Sequence, residues 1–347
     1  MNSIERVVAT LSHKEADRVP AYPLVNSVSR EALGITYEEW TKDWKKCADA
    51  IIKTTEELEL DCISTLVDLS VEAADFGQKL LYFEDKAACP DHHDRLIKDV
   101  EDYATLKAVD PRKTTRMSEH IEMAKYLVEK KGKEVPIVGF VFGPLGILGM
   151  LRGQEDLFVD MLTDPEELHP ALKEITKTLK DFCGALIDAG VHAIMFDTLF
   201  ASASIMSESM WQEFEGEYIQ ELSEYVHSRD CMVMLHNCGQ SAYFEAQIER
   251  MNPILISFLH VPFGCSSYAE AKEKFGDKVT LMGAIDPGWL MTATDEQVAE
   301  KSKEMIDIFA KGGGFVLATG CEYPACLNFD KARIMVETAK TYGKYNK

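Results

Sequence analysis

His236-Asn237-Cys238 closes the apolar run Met232-Val233-Met234-Leu235, and alternation along an extended strand puts the imidazole and the thiol on one side. Two such donors make a chelate. Another thiol, Cys321, follows Gly320 at the end of a second apolar run far along the chain. One imidazole and two thiolates suit a borderline-soft ion such as zinc, and three protein ligands leave a fourth position for chemistry. The same residues admit a plainer reading, in which His236 ends a strand through a backbone hydrogen bond and the cysteines are small buried hydrophobes. Spacing alone leaves both open.

The donors meet only if the fold brings two distant strand ends together. Eight short apolar runs, at 19–25, 62–68, 135–143, 193–201, 232–239, 254–261, 280–287 and 314–322, alternate with longer amphipathic stretches. Most are continuous rather than alternating, as parallel strands buried on both faces are. The intervening pattern predicts helices over 166–189, 209–228 and 295–311, the last stopped by Gly312-Gly313-Gly314, and an N-terminal helix over 3–11. The fold class expected is α/β: a TIM-type (β/α)8 barrel in a single domain, 1–347, with an N-terminal helical extension. A long insertion separates the second and third runs.

In such a barrel the chemistry sits where strands end and loops begin, on the C-terminal face. Asp68, Asp197, His236, Cys238, His260, Asp286, Cys321 and Glu322 all fall at such ends. Asp197 and Asp286 are candidates to hydrogen-bond His236 or its neighbours. Asp286, followed by Pro287, reads first as a helix cap, and His260 as a satisfied polar residue. Cys326 is expected in a loop, and Cys47, Cys62, Cys89, Cys183, Cys231 and Cys265 as ordinary buried or partly buried thiols. Gly143-Pro144-Leu145-Gly146 lacks the lysine and the glycine spacing of a phosphate loop.

Composition narrows the function classes. The 347 residues are 46% hydrophobic, enough for a large core, and 58 acidic against 37 basic residues give a net charge of −21. That field repels a phosphate backbone, so nucleic acid is not an expected partner. No apolar run approaches the ~20 residues that span a bilayer, and the first residues have no basic-then-apolar leader pattern. The expectation is a soluble, cytoplasmic protein without a membrane partner. Nine cysteines, an odd and scattered set, point to reduced thiols.

The chain resembles the uroporphyrinogen decarboxylase superfamily nearly end to end. The residues that carry the likeness are Arg6-Val7-Val8-Ala9-Thr10-Leu11, Asp17-Arg18-Val19-Pro20, the stretch from Asp68 to Gly77, Gly139-Phe140 to Gly143-Pro144, Phe196-Asp197, His236-Asn237-Cys238-Gly239, Met282-Gly283 and Gly320-Cys321. Within it the chain is similar to the cobamide-dependent methyltransferases typified by methylcobamide:coenzyme M methyltransferases. The decarboxylases' early Arg-Gln-Ala-Gly-Arg signature is absent, and the ten residues after Val19-Pro20, Ala21 to Arg30, hold a single arginine, Arg30. Met150 stands near their tyrosine, and Gly320-Cys321 replaces their late Gly-His.

The resemblance implies a TIM-type barrel and a zinc ion held by His236, Cys238 and Cys321. Asp68 matches the decarboxylases' catalytic aspartate and Glu72 an acidic residue of the methyltransferases. Asp197 joins them as a candidate catalytic residue. The implied reaction moves a methyl group between a methylcobamide, carried by a separate corrinoid protein, and a thiol such as coenzyme M. Its alternatives are a corrinoid-dependent demethylase acting on an ether, amine or methylthiol, a decarboxylase-like lyase, and a structural zinc module. Because superfamily members include dimers, a homodimer is also implied.

Overall fold

The continuous apolar runs become a parallel sheet because each strand is covered twice, by helices outside and by the other strands across the lumen. In the computed structural model, which describes residues 1–345, the strands are Ile63–Ser64, Ile137–Phe142, Ala193–Asp197, Met232–Asn237, Leu255–Phe258, Thr280–Ile285 and Phe315–Thr319. Each pairs in parallel with the next, curling into a TIM-type barrel.

Eight strands are predicted from the sequence, and among the described residues this sheet has seven. The difference lies at 19–25, where Pro20 and Pro23 have no N–H to give to a ladder. The segment therefore pairs through one parallel bridge, Ala21 with Leu317. The Leu317 N–H donates to the Pro20 carbonyl and the Tyr22 N–H to the Leu317 carbonyl, both at 2.9 Å. On its other side the Asp61 N–H donates to the Ala21 carbonyl at 3.2 Å. An irregular stave thus lies between the last strand and the first.

Asp61 fixes that stave to the helix before it. Its buried carboxylate accepts from Arg6 Nη1 and Arg18 Nη1, each at 2.7 Å, from the Ala21 N–H at 2.8 Å and from the Ser3 hydroxyl at 2.9 Å. The helix Ser3–Leu11 has its predicted bounds, started by an Asn2 and Glu5 capping box.

Two other helices differ from expectation only at their ends, Pro165–Asp188 and Asp295–Phe309. The predicted helix 209–228 is instead interrupted: Glu208–Trp211 passes through a π-helical turn, Gln212–Gly216, into Glu217–Ser228. The insertion holds a short helix, Val71–Asp75, the antiparallel ribbon Leu80–Leu81 with Cys89–Pro90, a 3₁₀ turn and the helix Arg116–Lys131. The ribbon's loop is tied to the helix Tyr37–Lys42 by the Tyr37 N–H, which donates to the Glu84 carbonyl at 2.8 Å.

Strand register stacks the lumen in layers. Met195, Met234, Leu255, Met282 and Val316 form an apolar layer. Two residues further along their strands, Asp197 pairs in register with His236, and His236 with Ser257. The polar layer therefore sits on an apolar floor, at the end where the loops begin. No helix among the described residues is long and apolar enough to cross a membrane.

Asp61→Ala should leave the largely buried Arg18 without its carboxylate and Arg6 with Asp17 alone, and cost about 3–5 kcal/mol of folding stability. Urea denaturation measures it; a loss under about 1 kcal/mol would contradict the proposed latch.

Candidate metal centre

Cys238 and Cys321 reach His236 because two strands stop at the same height. The ligand atoms of the three side chains all lie within 4.8 Å of one another, the one such group of His, Cys, Asp or Glu among the described residues. Gly320 is required for this: a Cβ there would stand 2.5 Å from Leu259 Cα, so any larger residue would push the last strand end and Cys321 away.

The turn between the two ligands of the His-x-Cys unit is fixed by the residue in its middle. Asn237 is fully buried and donates to the Thr198 and Ala201 carbonyls at 3.0 and 3.1 Å, while its Oδ1 accepts from the Gly239 N–H at 2.9 Å. His236 Nδ1 lies 3.0 Å from Ser257 Oγ. With Nδ1 protonated toward that hydroxyl, Nε2 keeps its lone pair for a metal. The partner is Ser257 rather than either of the aspartates singled out from the sequence. Asp286 caps the turn Pro287–Leu290, accepting from the Gly288 N–H at 2.7 Å.

Electrostatics separate the two thiols. Cys321 is held below the ordinary thiol range, first by a hydrogen bond from Cys238 and then by His236, against the effect of burial. Cys238 is pushed up by the same shared proton and by burial. Burial works to lower His236, but its hydrogen bond with Cys321 and the charge of Asp197 hold it above its usual value. A buried thiolate facing an imidazole is the state in which a soft cation binds best. Asp197 completes the layer: burial lifts it to about 6, with His236 opposing and Cys321 adding to the shift, and its Oδ1 has no hydrogen-bond partner among the described residues. A donor set of this kind, with an unpaired buried oxygen beside it, fits a bound zinc ion.

Asp68 and Glu72 form a separate buried cluster. Asp68 pairs with Arg116 at 2.8 and 3.2 Å and accepts from the Ser70 N–H. Glu72 accepts from the Phe142 N–H at 3.1 Å, and burial raises it to about 8. Cys326 is exposed, while Cys47, Cys183 and Cys231 are buried and Cys62, Cys89 and Cys265 partly so. Glu322, beside Cys321, accepts from the Ser27 N–H at 2.8 Å and is raised by burial to about 7.

Sequence reasoning missed Glu215. It sits inside the π-helical turn, fully buried, where it accepts from Trp211 Nε1 at 2.9 Å and the Leu145 N–H at 3.3 Å, and burial raises it to about 8. The turn swings this carboxyl to the start of the helix Pro144–Arg152, beside the mouth. Nothing in the helical spacing of 209–228 marks it.

Comparison with known proteins agrees with this architecture. A family model described as uroporphyrinogen decarboxylase (URO-D) matches residues 2–342. The "Methylcobamide:CoM methyltransferase MtbA" of Methanosarcina acetivorans is 24% identical over 345 residues, covering 97% of each chain. A "Uroporphyrinogen decarboxylase" of Wolinella succinogenes is 23% identical over 300 residues, covering 84% of this chain and 83% of its own. A solved structure described as "methyltransferase from Methanosarcina mazei" superposes over 99% of both chains with a TM-score of 0.84 at 20% identity, which shows the fold. Relatives of both kinds are enzymes, and overall identity does not separate them.

The buried glutamates set a pH dependence. Their carboxyls bind protons in the folded chain up to about pH 8, against an ordinary value of 4.5. The stability they contribute is complete below about pH 4.5 and is lost as pH rises toward 8. Glu215→Gln should therefore lose less stability than wild type between pH 5 and pH 8, as read from urea midpoints. An equal loss in both proteins would contradict the protonated state.

Proposed function

This chain belongs to the uroporphyrinogen decarboxylase family, and from that premise we propose that it is a zinc-dependent methyltransferase. It moves a methyl group between a methylcobamide on a separate corrinoid protein and a small thiol such as coenzyme M. The observation that carries the reading is the convergence of His236, Cys238 and Cys321 within 4.8 Å.

Zinc held by these three residues supplies a Lewis acid that lowers the pKa of a thiol and keeps its sulfur nucleophilic at neutral pH. The chain's own residues do the rest. Ser257 orients the His236 ring, and Asn237 holds the turn that aims Cys238. Asp197 Oδ1, buried and without a hydrogen-bond partner among the described residues, is the acceptor for the proton that an incoming thiol sheds. As thiolates, Cys238 and Cys321 together with a neutral His236 would offset the charge of a divalent ion held there. The apolar layer beneath keeps water from below the site.

The lyase alternative lacks what its substrate needs. A porphyrinogen with many carboxylates calls for free guanidinium groups. Arg30 instead donates to the Ser27 and Ala325 carbonyls at 3.1 and 3.0 Å and pairs with Glu31, and Arg116 is held by Asp68. The similarity to a methylcobamide:CoM methyltransferase supports the methyl donor and the class of acceptor.

Purified protein should contain near one zinc per chain and demethylate methylcobalamin only when a thiol from a panel including coenzyme M is added, read by cobalamin absorbance. Cys321→Ser and His236→Ala should each lower bound zinc and abolish the reaction with far-UV circular dichroism near wild type. Ser257→Ala should weaken zinc binding about 10–100-fold. Full activity in either ligand variant would refute the site, and zinc without thiol methylation would favour the demethylase direction.

A further inference from the structure

His120, on the helix Arg116–Lys131, is 6% exposed, and its Nε2 is buried with no hydrogen-bond partner among the described residues. The other ring nitrogen is committed. Nδ1 lies 2.9 Å from the Arg116 carbonyl, which can only accept, so Nδ1 carries the proton. Burial, reinforced by the charge of Arg116, lowers the ring to about 4 and keeps it neutral. Nε2 is therefore a lone pair inside the protein, and a buried acceptor is costly unless something donates to it.

The ring lines a cavity of about 10 Å³, close to the room that one water needs. Three further polar side chains share its wall: Thr65 and Asp68 from the end of the first strand, and Glu72 from the short helix Val71–Asp75. Phe140 and Phe182 line its apolar part. Each polar group has capacity to spare. Asp68 Oδ2 accepts from Arg116 Nη2 at 2.8 Å and keeps a second lone pair. Thr65 Oγ1 accepts from the Phe140 N–H at 3.0 Å and still has its hydroxyl proton to give. Glu72, raised by burial to about 8, carries a proton at neutral pH. Among the described residues no direct hydrogen bond joins any two of these four side chains. Two acceptors, Nε2 and Asp68 Oδ2, thus share the wall with two O–H donors, and a water molecule offers the complementary pair of each.

We propose that this cavity is a binding site for one resident water, which donates to His120 Nε2 and Asp68 and accepts from the Glu72 carboxyl and the Thr65 hydroxyl. Asp68 and Glu72 then form one hydrogen-bonded unit without touching. The long insertion, which supplies Glu72 and His120, is fastened through the water to the strand end that carries Asp68. The site requires neither zinc nor the methyl transfer argued above. The lumen cavity beneath the metal layer is the contrast: it is larger, about 30 Å³, but its surface is apolar, with Met195, Met234 and Met282 among its walls, and it stays dry.

A crystal structure of the whole chain that shows ordered solvent tests the site. One water should stand within hydrogen-bond distance of His120 Nε2 and the Glu72 carboxyl, and none among the lumen methionines. In solution, nitrogen NMR of the His120 ring should find Nε2 without a proton and shifted toward the value of a hydrogen-bonded imidazole nitrogen. Thr65→Val combined with Glu72→Leu removes both donors, so the water should leave and the shift should return to that of a bare lone pair. Glu72→Gln keeps a donor in its amide N–H and should keep the water.

A wild-type cavity without water, an Nε2 that carries a proton, or a double variant with the wild-type shift would each overturn the proposal. The first two are read on the wild-type protein, whether or not the double variant folds.

Discussion

Closure of the barrel is the constraint on which everything else depends. Cys321 follows the last strand and His236 lies near the end of the fourth, so the two ligands share a site because the sheet curls between them, and closure of the ring holds that curl. Two prolines deny the closing stave a regular ladder, and a carboxylate does what the ladder cannot: Asp61 binds two arginines and a backbone N–H across the seam. A buried ion pair gives modest net stability but is costly to break, so the latch specifies one arrangement rather than deepening the fold.

Within that ring, the division of labour follows strand register. Alternation gives every inward residue a place in a layer, and the change from methionine, leucine and valine to aspartate, histidine and serine occurs over one step of two residues. The apolar layer dries the site from beneath and the polar layer above it holds the donors.

Much of this was legible in the sequence, for physical reasons. Strands buried on both faces have to be apolar throughout, which is why seven of the eight runs emerged as strands. His236 and Cys238 were visible because two donors alternate on one strand beside a glycine. What was hidden depends on the third dimension. Ser257 meets His236 only through strand pairing, and Arg116 meets Asp68 across the long insertion. Glu215 reaches the mouth through a π-helical turn that helical periodicity cannot reveal. The stave at 19–25 had the right composition for a strand, and its prolines were the local signal against a regular one.

The central claim is that His236, Cys238 and Cys321 together hold one metal ion, and X-ray absorption at the zinc edge of the purified protein tests it most directly. The account predicts a first shell with two sulfurs at about 2.3 Å and one imidazole nitrogen at about 2.0 Å. A shell of oxygen and nitrogen alone, or a protein that binds no zinc when zinc is supplied, would contradict it.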